Sequence, residues 1–245
     1  MNETFSDHRG QDLDRWFDAY STGDPVGKGE IFSAISSALT PLFAGYRYIR
    51  TKSCFHLPDD TADHYVTLER GKGILSLRFG VTHHAVEQAR LALFGPRSVQ
   101  VRHIPLTVSM YTANMGPHSR GWYLPYRVQW PIFGSEGLSL AIPEVCAFVE
   151  ETVLPYLANH RSPEAIRDTY LLTPRHADIY LLSEQIVFAV DHMLGCTERL
   201  EADRDVLLAQ RGAPDDRRRV EEAFFSVRRA HNAVRADRTL THPAD

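Results

Sequence analysis

The sequence predicts an α+β protein: an antiparallel sheet packed with helices, followed by a C-terminal antiparallel helical hairpin of coiled-coil character. Three observations predict it. Apolar residues recur at alternating steps of three and four through Ile179, Leu182, Ile186, Ala189, Met193, Cys196, Leu200 and Leu207, the seam of an amphipathic helix. The spacing resumes through Val220, Phe224, Val227, His231 and Val234 after the break Arg211-Gly212-Ala213-Pro214-Asp215-Asp216. Upstream of both, residues 46 to 81 are rich in aromatic and β-branched types and alternate with a period of two.

Residues 1 to 28 read as loosely ordered, with Leu13, Trp16, Phe17 and Tyr20 at helical spacing in one short docking helix. Ile31, Ile35, Leu39, Leu42 and Phe43 then form the apolar stripe of a helix. Three strands are expected next: 46 to 57, 63 to 70 with His64, Val66 and Leu68 on one face, and 74 to 81 with Leu75, Leu77, Phe79 and Val81 on one face. Gly71-Lys72-Gly73 makes the last two a tight hairpin. A helix over 83 to 94 precedes two further strand candidates, 98 to 111 and 121 to 130. Pro105 and Pro125 confine these to sheet edges or bend them, because proline cannot donate to a ladder. Gly134-Ser135-Glu136-Gly137 reads as a turn, Pro143 as the opening of a helix ended or kinked at Pro155, and Ser162-Pro163-Glu164 as the cap of another ending near Leu172.

Thr173-Pro174 supplies a capping hydroxyl and a proline at the first helical position for the hairpin's first arm. Gly212 closes that arm, and Asp215 and Asp216 face the positive end of the next helix dipole. An unbroken arm over 174 to 211 would be about 55 Å long and the second about 35 Å, so the first outreaches its partner. Its exposed stretch, around Ile179 to Ile186, then requires cover from the body of the protein or from another molecule. The division expected is 1 to 28, an α+β domain over 29 to 172, the hairpin over 173 to 238, and a disordered tail over 239 to 245.

The chain has 245 residues, 43% hydrophobic and 24% charged, enough for a full core. A formal charge of −4 and a pI near 6.3 provide no global attraction to phosphate backbones or anionic membranes. Cys54, Cys146 and Cys196 are widely separated and lack metal-ligand spacing, as reduced thiols would be. With no apolar targeting segment near Met1 and only three lysines among 27 basic residues, the expected setting is the cytoplasm of a bacterium.

The order of helix, strands, glycine-linked hairpin, helix and further strands, followed by Val153-Leu154-Pro155-Tyr156-Leu157 and Ser162-Pro163-Glu164, resembles a bacterial family of domains of unknown function. Some members of that family resemble toxin-immunity proteins. The resemblance covers about residues 30 to 172 and leaves the hairpin outside. It implies a sheet domain that binds another protein, and it carries no active-site residues.

For chemistry, His83 and Glu87 are four residues apart and share a helix face beside His84. A metal there needs a further ligand from His56, His64 or His103; otherwise the histidines cap and solvate a strand-to-helix junction. If His83, His84 and Glu87 are structural rather than metal ligands, the double alanine variant of His83 and Glu87 should melt within about 1 kcal/mol of the parent. Asp59, Asp60 and Asp63 beside His56 and His64 read equally as a solvated turn. Gly27-Lys28-Gly29 lacks the spacing of a phosphate-binding loop, and no dinucleotide fingerprint or serine-hydrolase elbow is present. No cofactor, resident metal or catalytic residue is assigned.

Arg217, Arg218, Arg219, Arg228 and Arg229 lie in a stretch of eight arginines, 211 to 238, interleaved with Asp215, Asp216, Glu221, Glu222 and Asp237. That pattern belongs to a salt-bridged helix face, with nucleic-acid binding as the alternative. Trp122, Tyr126 and Trp130 fall on one face of a strand, either against the core or on a partner-binding face. The function expected is a non-enzymatic protein-interaction module, immunity-like or part of a bacterial defence or mobile-element system. It would pair with a protein partner or itself through Ile186, Val190, Val220, Phe224 and Val227. The alternatives are an enzyme with a site near His83, His84 and Glu87, or a nucleic-acid binder using the arginine helix.

Overall fold

The computed structural model describes residues 22–71, 73–96, 106–112, 130–172 and 183–241. These form two compact units, one drawn from 22–59, 64–80 and 109–158, the other from 60–63, 81–108 and 159–241. The fold is α+β, as expected, but the second unit takes in residues 84–94 and 163–172 along with the hairpin. The expected docking helix, His103, Trp122, Tyr126, the 174–182 stretch with Ile179 and Leu182, and the end of the tail lie outside the described residues.

The first unit opens with α1 (Lys28–Leu39), whose Ile31, Ile35 and Leu39 are fully buried at helical spacing. The expected single strand over 46 to 57 is a hairpin instead. Strand β1 (Arg47–Ile49) leads into a 3-10 turn, Arg50–Lys52, and then into β2 (Cys54–Leu57), with Tyr48 paired to Phe55. The reversal runs through Ser53 at φ 48°, a left-handed residue that is not glycine. Strand β3 (Ala62–Gly71) pairs antiparallel with β2 and buries Ala62, His64, Val66 and Leu68 on alternate positions. Strand β4 (Ile74–His83) buries Leu75, Leu77, Phe79 and Val81, as the alternation predicts. The turn between them needs Gly73: its φ is +85°, and a Cβ there would strike the Phe133 ring.

The strand order is β1-β2-β3-β4-β5, where β5 is Val108–Tyr111; β6 (Trp130–Pro131) also pairs with β4, Leu75 opposite Trp130. Trp130 is fully buried, donates its indole N–H to Glu144 at 3.2 Å, and meets the Phe148 ring edge-on, so it occupies a core position. The expected turn at 134 to 137 is helical. Helix α3 (Ser135–Phe148) starts after Gly134, runs through Pro143, and buries Gly137, Leu138, Ala141 and Val145. It widens into one π-turn, Val149–Val153, before continuing as α4 (Leu154–Asn159). Pro155 explains the widening, because it has no N–H for the carbonyl four residues back and its ring presses on that turn.

Helices build the second unit. They are α2 (His84–Phe94), α5 (Pro163–Leu172), α6 (Ser183–Leu194), α7 (Leu200–Gln210) and α8 (Pro214–Thr241). Ser162 caps α5, its Oγ accepting from the Ala165 N–H at 3.4 Å. The unbroken 174-to-211 arm is not formed. Gly195 adopts φ 69° and donates to the His192 carbonyl, Cys196 donates to the Asp191 carbonyl, and a 3-10 turn at Thr197–Arg199 leads into α7. A glycine directly after the 12 residues of α6 thus ends the helix where apolar spacing alone carries it through. The expected hairpin is present as α7 and α8, turning at Arg211 to Ala213. Helix α6 buries every residue from Ile186 to Asp191 because α2, α5, α7 and α8 all pack against it. The cover that the sequence required for Ile186 is therefore provided by this chain. No helix among the described residues is long and apolar enough to cross a membrane.

Candidate functional site

The junction of β4 and α2 brings His83, His84 and Glu87 together, though not as a ligand set. His83 is the N-cap of α2 and is 3% exposed; its Nδ1 accepts from the Val86 N–H at 3.5 Å, and its Nε2 donates to the Arg161 carbonyl at 3.2 Å. Burial pushes the imidazole below its ordinary pKa, opposed by the Arg161 carbonyl. One Glu87 oxygen accepts from Thr107 Oγ1 at 3.0 Å and the other from Arg90 Nε at 3.0 Å. Thr107 Oγ1 in turn accepts from the His83 backbone N–H, and Tyr170 donates to the Thr107 carbonyl. His84 turns outward, with Nδ1 at 3.1 Å from the Asp60 carbonyl and Nε2 at 3.5 Å from Asp63.

This is a buried polar network that ties α2 to its surroundings. His56 stacks on Tyr65 at 4.5 Å, and His64 Nδ1 lies 3.0 Å from the Tyr46 hydroxyl. Among the described residues no three His, Cys, Asp or Glu side chains are placed to hold a metal. Burial also corrects the near-neutral double variant. His83→Ala loses two hydrogen bonds, one of them the helix cap, and Glu87→Ala removes the carboxylate that Thr107 Oγ1 and Arg90 Nε share. We expect the double variant to be about 3 kcal/mol less stable by urea unfolding. A loss within about 1 kcal/mol would mean that the network is slack.

A second cluster was not singled out from the sequence. On α5, the guanidinium of Arg167 donates to Asp191 on α6 at 2.9 Å, to both oxygens of Asp203 on α7 at 2.7 Å, and to Asp168 at 2.8 Å. The Asp191 side chain is 1% exposed and Asp203 6%, whereas Asp168 is half exposed. One cation therefore faces two buried anions. Burial first, and then the Asp203 carboxylate, push Asp191 up to about 7. Its Oδ2 is buried with no hydrogen-bond partner among the described residues, which leaves room for a proton. Burial opposes the Arg167 charge, but the Asp203 hydrogen bond and the Asp191 and Asp203 charges outweigh it and raise its pKa. The available signal was Asp191 itself, an acid in the apolar run Ile186 to Leu194.

A third buried carboxylate, Glu184 on α6, sits beside Ser183, whose Oγ is 3.2 Å away. Arg211 hydrogen-bonds Ser183 and lies 3.8 Å from Glu184, and Arg219 on α8 lies 3.7 Å from it. Among the described side chains of α8, Arg218, Arg219 and Arg228 pair with carboxylates and Arg217 and Arg229 do not. Arg218 reaches Asp215 at 3.1 Å and Glu222 at 3.8 Å, Arg219 reaches Asp216 at 2.6 Å, and Arg228 reaches Glu201 at 3.9 Å. Arg217 donates to the Leu208 carbonyl, and Arg229 to the Ser226 hydroxyl at 3.3 Å.

The apolar residues expected to mediate association lie inside the helical unit. Ile186, Val190, Val220 and Val227 are fully buried and Phe224 is 1% exposed, its ring 6.1 Å from Phe188 and covered by the Arg204 guanidinium at 4.8 Å. Next to it, Phe225 points outward and is 49% exposed. At 100° per residue, Arg218, Glu222, Phe225, Arg229 and Asn232 fall within an arc of about 80°, opposite Val220, Ala223, Phe224 and Val227. Comparison with protein-family models, curated proteins and solved structures finds no match for this chain.

Proposed function

We propose that this chain is a non-catalytic protein-interaction module whose contact face is the outer stripe of α8. The observation that carries the reading is Phe225, a large ring half exposed in the middle of a helix face otherwise made of Arg218, Glu222, Arg229 and Asn232. A central aromatic with arginines around it is the composition that concentrates binding energy at protein interfaces. The use of His83 and Glu87 in holding α2 supports the same reading over the enzymatic one. So does the pairing of Arg218, Arg219 and Arg228 with carboxylates over the nucleic-acid one. The role is immunity-like, on the resemblance given above, or part of a bacterial defence or mobile-element system.

The test is the full chain used as bait in its native host, beside Phe225→Asp. The parent should retain a protein in near-stoichiometric amount, with a second copy of the chain counted as such. Phe225→Asp should lose it while melting within about 0.5 kcal/mol of the parent, as exposed positions do. A parent that holds nothing the variant fails to hold would overturn the proposal.

A further inference from the structure

We propose that the α8 face is self-complementary and joins two copies of this chain as an antiparallel, two-fold helix pair centred on Phe225. The inference rests on the interaction reading and names the partner. Glu221 and Glu222 stand four and three residues before Phe225, and Arg228 and Arg229 stand three and four after it. In an antiparallel pair centred on residue 225, each residue lies opposite the one equally far on the other side. Each acidic pair therefore meets the basic pair of the second copy, at both ends of the contact. A parallel pair would set acid against acid and base against base. The pattern thus selects the antiparallel arrangement, in which both copies use the same patch.

The groups are available for it. Glu222, Phe225, Arg228 and Arg229 are exposed and Glu221 is partly so. The contacts these groups make within the chain are long: Glu222 lies 3.8 Å from Arg218, Arg228 lies 3.9 Å from Glu201 and 5.9 Å from the centre of the Phe224 ring, and Arg229 lies 3.3 Å from the Ser226 hydroxyl. The two Phe225 rings would meet at the centre, where each loses its remaining exposure. Arg218 would lie opposite Asn232, a neutral pairing that adds no repulsion.

The symmetry dictates a charge-swap experiment on the full chain, read by sedimentation velocity, with circular dichroism to confirm the fold. The parent should be dimeric at loadings on the order of 100 µM. Glu221→Arg with Glu222→Arg makes every cross-pair repulsive, and so does Arg228→Glu with Arg229→Glu. Each of these variants should dissociate at least about tenfold more readily than the parent. Mixed together they should form a heterodimer, because each supplies the charge that the other lost. The quadruple swap should dimerise by itself.

A parent that stays monomeric at the top loading overturns the self-pairing, as does a dimer indifferent to all four changes or a mixture that stays monomeric. The interaction reading fails separately. A monomeric parent whose bait still captures a different protein through Phe225 leaves that reading standing without the two-fold pair.

Discussion

Raising the pH from about 4 to about 7 should cost the helical unit stability on the order of 3 kcal/mol through Asp191 alone. An unfolded aspartate titrates near 3.9, whereas burial and the Asp203 carboxylate push Asp191 up to about 7 in the fold. Between those values the folded protein binds a proton that the unfolded chain has released, so unfolding becomes easier as the pH rises. Above the folded value the loss is complete. His83 acts in the opposite sense. Its lowered pKa means that the unfolded chain takes up the proton first, and its contribution fades as the pH falls below the ordinary histidine range.

The two effects are separated by Asp191→Asn, which replaces the protonated acid with a neutral amide of the same shape. Urea unfolding at pH 5 and pH 8 should show the parent weaker at pH 8, and Asp191→Asn should show much less of that difference. Equal slopes in the two proteins would mean that Asp191 is ionised throughout and that Arg167 compensates both carboxylates.

Arg167→Ala should be the most damaging single substitution in the molecule, at about 3 to 5 kcal/mol, because it leaves Asp191 and Asp203 buried without a counter-charge. The loss should be greater at pH 8 than at pH 5, where a proton can partly replace the missing cation. Arg167→Lys should recover only part of it: an ammonium is a single point, and the guanidinium spreads its N–H groups over Asp191, Asp203 and Asp168 at once. Adding Asp191→Asn to Arg167→Ala should restore stability beyond the sum of the two single changes, since it removes one of the orphaned charges. Thermal unfolding of the parent, Arg167→Ala, Asp191→Asn and the double variant at both pH values measures this. Simple additivity would show that the three side chains are not energetically one unit.

Where a signal was local, the fold could be read from the chain. Alternation placed Val66, Leu68, Leu75, Leu77 and Phe79 inside the sheet, Ser162 capped α5, and α8 began at Pro214. The errors have local causes too. Ser53 reverses the chain without the glycine or proline that marks most turns, so nothing in the sequence separates β1 from β2. At 134 to 137, two glycines suggested a turn, although they lie where α3 starts and where it packs against its neighbours.

The sites were less legible, because they join distant positions. His83 and Glu87 share a helix turn and were found, but Thr107 and Arg161, which decide what they do, lie 24 and 78 residues from His83. Arg167 meets Asp191 and Asp203 at separations of 24 and 36 residues, beyond any helical period. Periodicity identified Ile186, Val220 and Phe224 as a seam, yet a seam inside one chain and a seam between two chains share the same spacing.

The break at Gly195 does more than shorten a helix. On one continuous helix Asp191 and Asp203, twelve residues apart, would sit about 18 Å from each other along the axis and a third of a turn out of line. No single side chain could hold both. Because the chain reverses at a left-handed glycine, the two carboxylates converge on Arg167. The second carboxylate that adds to burial in raising the Asp191 pKa is therefore brought into place by a backbone angle at a residue with no side chain. The electrostatics at Asp191 thus depend on a turn four residues further along the chain.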